Sequence, residues 1–147
     1  MGVGLGGFVD GILLHQVLQW HHMVSHKEKA TTLAGLELNT LADGLFHVVA
    51  WVCVLAGFIA MVRSARQGRM SPNLSFHTGL LLVGWGLFNV VEGIVDHQIL
   101  QIHHVRDDLG GPLGWDLGFL AASVVIVVAG WLLHRRGVDR LMRRAAR

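Results

Sequence analysis

Residues 10–22 read DGILLHQVLQWHH and residues 92–104 read EGIVDHQILQIHH. The shared pattern is acid-Gly-Ile-x-x-His-Gln-x-Leu-Gln-x-His-His, at a constant offset of 82 residues, as from His15 to His97. An acid, a glycine, two glutamines and three histidines do not fall into one register by chance. An internal duplication fixes the architecture before any single residue is interpreted. Both copies sit inside long apolar segments, where ionisable side chains are costly and are functional suspects by default.

Working outward, the 147-residue chain is 52% hydrophobic, only 15% charged and free of tyrosine, with a mean hydropathy of +0.51. A soluble domain carries about a quarter charged residues, so this composition belongs to a membrane protein. Four apolar segments, roughly 3–23, 41–62, 77–102 and 117–134, each approach the ~20 residues that span a bilayer as a helix. The first reads as a span and not as a cleaved signal peptide, because no basic region precedes it and HHMVSHKEK follows it. The lone Cys53 excludes an intrachain disulfide and a cysteine-based zinc cluster. Nothing in the charge pattern suggests nucleic-acid binding.

Arginines set the expected orientation. Arg63, Arg66 and Arg69 lie between segments 2 and 3, and six more occupy the tail at 135–147. The positive-inside rule then puts both termini in the cytoplasm and both HisHis pairs near the outer face of the inner membrane. The fold class expected is all-α: one multi-pass transmembrane four-helix bundle over 1–147. It would consist of two helical hairpins (3–62 and 75–134) related by a pseudo-two-fold axis along the membrane normal, and a basic cytoplasmic tail. GRMSPNLS at 68–75 separates the halves, its Ser-Pro-Asn reading as a turn and helix start.

On a wheel of 100° per residue, the ionisable groups of helix 1 fall on one half, with Asp10, His21, His22 and His15 between 0° and 140°. Helix 3 repeats this with Glu92, His103, Asp96, His104 and His97. Helix 2 adds Asn39, Asp43 and His47 at four-residue spacing. Imidazole with carboxylate is the ligand set of copper, zinc and non-haem iron. His15 and His22 are seven residues apart, about 10 Å of helix rise, which implies two layers. The outer layer would hold His22 and His104, the deeper one His15, His97 and His47, with Asp43 a further candidate ligand. Asp10, Gln19, Glu92, Asp96 and Gln101 are candidates for orienting those ligands or moving protons. For His21 and His103 ligation and a plain structural role weigh evenly; His26, His77 and His134 read as structural or solvated groups.

The stretches GGFVDGILLHQVLQWHHM (6–23), ADGLFHV (42–48) and WGLFNVVEGIVDHQILQIHHV (85–105) resemble a family of small bacterial membrane proteins of unknown function. The resemblance covers residues 4–134 and implies a four-helix membrane protein, with no activity attached.

The functional expectation is a membrane metalloprotein holding one or two transition-metal ions, copper or iron ahead of zinc, in a His/Asp site. Redox chemistry on a small molecule, fed by a membrane quinol, would make it an oxidoreductase. Without redox activity it would store metal or hand it to a membrane oxidase. A haem b protein with His15 and His97 as axial ligands is the alternative. A proton or ion transporter, or an accessory subunit of a respiratory complex, comes next. The lipid bilayer is the certain partner, and a homo-oligomer would allow ligands to be shared.

Overall fold

The core of this protein is polar and its surface is greasy. In the computed structural model the largest fully buried side chains are His15, His97, His103, Asn39, Asp43, Asp116 and Ser123. Leucines, valines and tryptophans along every helix face outward. Water would not tolerate that inversion, but lipid favours it, because apolar side chains satisfy the hydrocarbon and polar ones must find partners inside. The structure describes residues 1–71 and 73–146, without the side chains of residues 144 and 145. Pro72 of the expected turn and Arg144 and Arg147 of the basic tail therefore lie, wholly or in their side chains, outside that description.

Four helical elements follow one another, with no strand among the described residues. Helix α1 spans Gly2–Val9 and runs on as a π-helical stretch over Asp10–Val17. Helix α2 spans Leu33–Arg66, with Thr32 capping its N-terminus by accepting from Gly35 N at 3.0 Å. Helix α3 spans Leu74–Glu92, capped by Asn73, and also ends in a π-helical stretch, Gly93–Ile99. Helix α4 spans Leu113–Ala145 and starts behind Pro112. Three of these elements, Leu33–Arg66, Leu74–Ile99 and Leu113–Arg143, are long and apolar enough to cross a membrane. The first apolar segment is helical only to Val17, short of the full span expected of it.

The helices stand side by side in the order α2, α1, α3, α4, so the two motif-bearing helices occupy the middle. Glycines allow this closeness. A Cβ on Gly2 would lie 2.9 Å from the Gly84 Cα, and one on Gly84 would lie 2.9 Å from the Gly2 Cα. These two are repeat mates, facing each other where α1 crosses α3. The outer pairs repeat in the same way. Gly4 abuts Ala50 and Val54 on α2, while Gly86 abuts Ser123 and Val127 on α4. Gly11 meets Phe46 and His47, while Gly93 meets Phe119 and Leu120. The second helices therefore match at an offset of 73 residues, as from Asp43 to Asp116, nine fewer than the 82 of the motifs. Two residues of the difference lie in the longer connection before α2 (18–32 against 100–112), and seven in the earlier start of α2, ten residues before Asp43 against three before Asp116.

The motif itself departs from the expected wheel. Its hydrogen bonds lengthen to i→i+5 (Leu18 N to Leu13 O, Leu100 N to Val95 O, both 2.8 Å). They then stretch one further residue, from Trp20 N to Leu14 O and from Ile102 N to Asp96 O. Gln19 and Gln101 follow in the left-handed region, at φ 51° and 49°. Each chain thus leaves its helix abruptly, and both HisHis pairs sit on segments folded back over the helix ends. A π-helical run is rare and gathers at functional sites, and so do non-glycine residues held at positive φ.

Because the Gln19 side chain is exposed, its backbone conformation is what a substitution would test. Gln19→Gly is expected to keep or raise thermal stability in detergent, by up to about 1 kcal/mol. Gln19→Val, a β-branched residue forced to positive φ, is expected to lower it by at least that much.

Candidate metal centre

Two buried carboxylates organise the site. Asp43, on α2, accepts from His15 Nδ1 at 2.8 Å through Oδ1 and from His22 Nδ1 at 2.8 Å through Oδ2. Met23 N donates to it as well, at 2.8 Å, and the Gln16 amide at 3.1 Å. Asp116, on α4, repeats the arrangement with the second motif. His104 Nδ1 lies 2.6 Å from its Oδ2, Val105 N donates to Oδ1 at 2.9 Å, and Gln98 reaches it at 3.4 Å. His97 Nδ1 is looser, 3.5 Å from Oδ1. The aromatic rings of Phe46 and Phe119 back His15 and His97, at centroid distances of 5.6 and 5.5 Å.

The first histidine of each HisHis pair turns the other way. His21 Nδ1 donates to Val105 O at 3.1 Å, and His103 Nδ1 donates to Met23 O at 3.0 Å. Each loop therefore anchors the imidazole of the opposite repeat. Two backbone bonds tie the loops further: His26 N to Ile102 O and Asp108 N to Trp20 O, both 3.1 Å. Arg106 lies over the rings of Trp20 and Trp115, 4.5 and 5.0 Å from their centroids. Its guanidinium also clamps Asp108 with two 2.8 Å bonds and holds that carboxyl below the usual carboxylate range.

These contacts fix tautomers. Carbonyls and carboxylates only accept, so Nδ1 carries the proton in His15, His21 and His103, while His103 Nε2 is in turn hydrogen-bonded to Glu92 Oε1 at 3.0 Å. In His15, His21, His97 and His103 the Nε2 atom points into one buried space, closed at its inner end by Asp10 and Glu92. All six groups are at most 5% exposed. Asp10 Oδ2 lies 3.1 Å from His15 Nε2, and Glu92 Oε1 lies 3.0 Å from His103 Nε2 and 3.5 Å from His97 Nε2. Despite this proximity, both Asp10 oxygens, Glu92 Oε2 and the Nε2 atoms of His15, His21 and His97 have no hydrogen-bond partner among the described residues. Three triads converge closely enough to hold a metal ion: His15 with His21 and His103, Glu92 with His97 and His103, and Asp10 with His21 and Glu92. The donor atoms of each triad lie within 4.8 Å of one another, with Glu92 Oε1 at 3.0 and 3.5 Å from His103 and His97.

Of the residues singled out by sequence, His15 and His97 are inside this space, flanked by Asp10 and Glu92. His22 and His104 lie on its outer side, 18% and 13% exposed, on the far oxygen of each organising carboxylate. Asp43 faces Nδ1 atoms, the side away from the cluster. His47 donates from Nδ1 to its own helix at Asp43 O, 2.8 Å away, and its Nε2 faces Gly11 without a partner. Asp96 is half-buried at the position matching Leu14, and Gln19 and Gln101 are exposed. Sequence reasoning undervalued His21 and His103, gave Asp116 no role in the site, and passed over Gln16 and Gln98. The signal was present: on the wheel His21 and His103 stood only 20° from Asp10 and Glu92.

Residues 1–137 match the family model described as "Predicted membrane protein (DUF2243)", and the chain belongs to that family. No curated protein matches it, and no solved structure does.

The organising role of Asp43 gives a stability test. Asp43→Ala strands His15 Nδ1, His22 Nδ1 and Met23 N, three groups at about 1–3 kcal/mol each. The variant should lose at least about 3 kcal/mol in detergent thermal unfolding, whereas Asp108→Ala, on the exposed loop, should leave the unfolding temperature nearly unchanged.

Proposed function

We propose that this member of a family of unknown function is a membrane metalloprotein whose His/carboxylate centre carries out redox chemistry. The observation that carries the reading is the convergence of six buried side chains whose inward donor atoms are almost all without partners. Buried polar groups in native proteins are hydrogen-bonded, and a cluster of orphans calls for a ligand. Three of the four imidazoles have Nδ1 engaged by a fixed acceptor, and His97 has one nearby. This is the arrangement that presents Nε2 to a metal.

Each repeat contributes two imidazoles and one carboxylate, the donor set of non-haem iron(II) sites with open positions. Iron is therefore the first metal to test and copper the second, with zinc behind both. Exchange of electrons with a membrane quinol would suit a centre enclosed by lipid-facing helices, and the activity would be that of an oxidoreductase. Storage, or delivery of metal to a membrane oxidase, is the non-redox version of the same site. Haem b fits less well: the rings of His21 and His103 lie between His15 and His97, at centroid distances of 4.5–6.2 Å, where a porphyrin would have to sit. By the distribution of arginines the centre lies on the extracytoplasmic side of the inner membrane, with both termini in the cytoplasm.

Protein purified in detergent from iron-supplemented cells is expected to contain iron at one or more equivalents per chain by elemental analysis, without a Soret band. A His15→Gln/His97→Gln double variant with unchanged helicity and elution volume should bind it at least about 100-fold more weakly, since losing only a ligand's outer hydrogen-bonding partner already costs about 10- to 100-fold. A Soret band lost in the variant would overturn the reading in favour of haem, and metal content no higher than in the variant would remove the metal altogether. Orientation is checked separately. In a Cys53→Ser background, Lys27→Cys should react with a membrane-impermeant maleimide in spheroplasts, and Gln67→Cys only after permeabilisation.

A further inference from the structure

The centre has too many donors, aimed in too many directions, for one ion. An imidazole offers its Nε2 lone pair in the plane of the ring. The His21 and His103 rings are stacked, parallel to within 3°, with centroids 4.6 Å apart. Although donor atoms of His15, His21 and His103 also gather within 4.8 Å of one another, the stacked rings of His21 and His103 aim their in-plane lone pairs along near-parallel planes and so suit two ions better than one. The same holds by count: four imidazoles and two carboxylates offer up to eight donor atoms, while transition metals in protein sites take about four to six.

Resting on the metal reading above, we infer that the centre is dinuclear, with one ion assigned to each repeat and the Glu92 carboxylate shared between them. Glu92, His97 and His103 converge as one complete two-imidazole, one-carboxylate set. Glu92 spends only Oε1 on it, 3.0 Å from His103 and 3.5 Å from His97. Its Oε2 is buried and unpartnered, and Glu92 also joins Asp10 and His21 in a second converging set. His15, 3.1 Å from Asp10 and with its ring 4.5 Å from that of His21, completes that second set. The carboxylates differ by one methylene, and the longer one is the one that reaches both sets. A carboxylate bridge would couple the two ions magnetically and let the centre store two electrons.

The test uses the full-length protein in detergent, stripped of metal and reloaded anaerobically with iron(II) alone. Two irons per chain are expected, with a spin-coupled mixed-valence resonance after one-electron reduction of the oxidised form. His15→Gln and His97→Gln, each checked for unchanged helicity and elution volume, should each fall from two irons to one. The single iron left should be magnetically isolated. One iron per chain in the wild type, with an isolated high-spin ferric spectrum, overturns the dinuclear centre and leaves metal binding standing. Two irons without coupling overturn the shared Glu92. No iron in the wild type overturns both readings.

Discussion

Everything in this structure depends on the pairing of two aspartates with imidazoles inside an apolar bundle. An isolated carboxylate in hydrocarbon costs tens of kcal/mol by simple solvation estimates, so neither Asp43 nor Asp116 could sit where it does alone. Asp43 collects the Nδ1 groups of His15 and His22, Asp116 that of His104 with His97 Nδ1 3.5 Å away, and each accepts a backbone N–H from the turn that follows its own repeat's motif. In lipid the hydrophobic effect does not hold one helix against another, and packing and polar contacts must do so. The aspartates therefore do what a hydrophobic core does in a soluble protein: they dock α2 on α1 and α4 on α3. They also set the direction of His15 and His97, whose opposite nitrogens face the centre. Stability and site geometry rest on the same bonds.

Much of this was legible in the sequence because it follows from period and composition. The duplicated motif required equivalent helices facing each other, and Gly2 against Gly84 is that equivalence realised. The apolar composition placed the chain in the bilayer, and the cost of intramembrane charge pointed His15, His97, Asp10 and Glu92 inward. The π-helical turns were not legible, since nothing in HisGln-x-Leu-Gln distinguishes an i→i+5 ladder from an i→i+4 one. A wheel drawn at 3.6 residues per turn kept both members of each HisHis pair on the helix. In the structure the left-handed Gln19 and Gln101 split them, sending His21 and His103 to the cluster and His22 and His104 to its outer edge. The repeat of α2 in α4 was faint for a simpler reason. At an offset of 73 Asp43, Phe46, Val52, Val54, Ala56 and Gly57 recur as Asp116, Phe119, Val125, Val127, Ala129 and Gly130, but small and apolar residues suit any lipid-facing helix, so their match carries little signal.

The crossed loops explain how a turn so poor in regular structure can hold ligands firmly. His21 is held by a carbonyl of the second repeat and His103 by one of the first, while the ladder bonds at Ile102 and Trp20 join the same two segments. Each loop is thus part of the other's ligand support. Rigidity of this kind is what the proposed metal site would require, because ligands must be held to within a fraction of an ångström. It also makes the two halves interdependent: loosening one loop releases an imidazole of the other.

Symmetry built the frame, and departures from it give the centre its character. Asp10 corresponds to Glu92, Leu14 to Asp96, Gly7 to Asn89 and His47 to Leu120. Asn89 Oδ1 and His47 Nε2, one in each repeat, are both buried without partners among the described residues. A perfectly two-fold centre would hold equivalent positions and offer electrons no direction. Here one repeat adds a carboxylate and an amide, while the other adds an imidazole, so the two positions see different charge and different hydrogen-bonding capacity. Potentials of bound metals follow such surroundings. A metal held there, as proposed, would therefore meet two unequal halves of a duplicated structural frame.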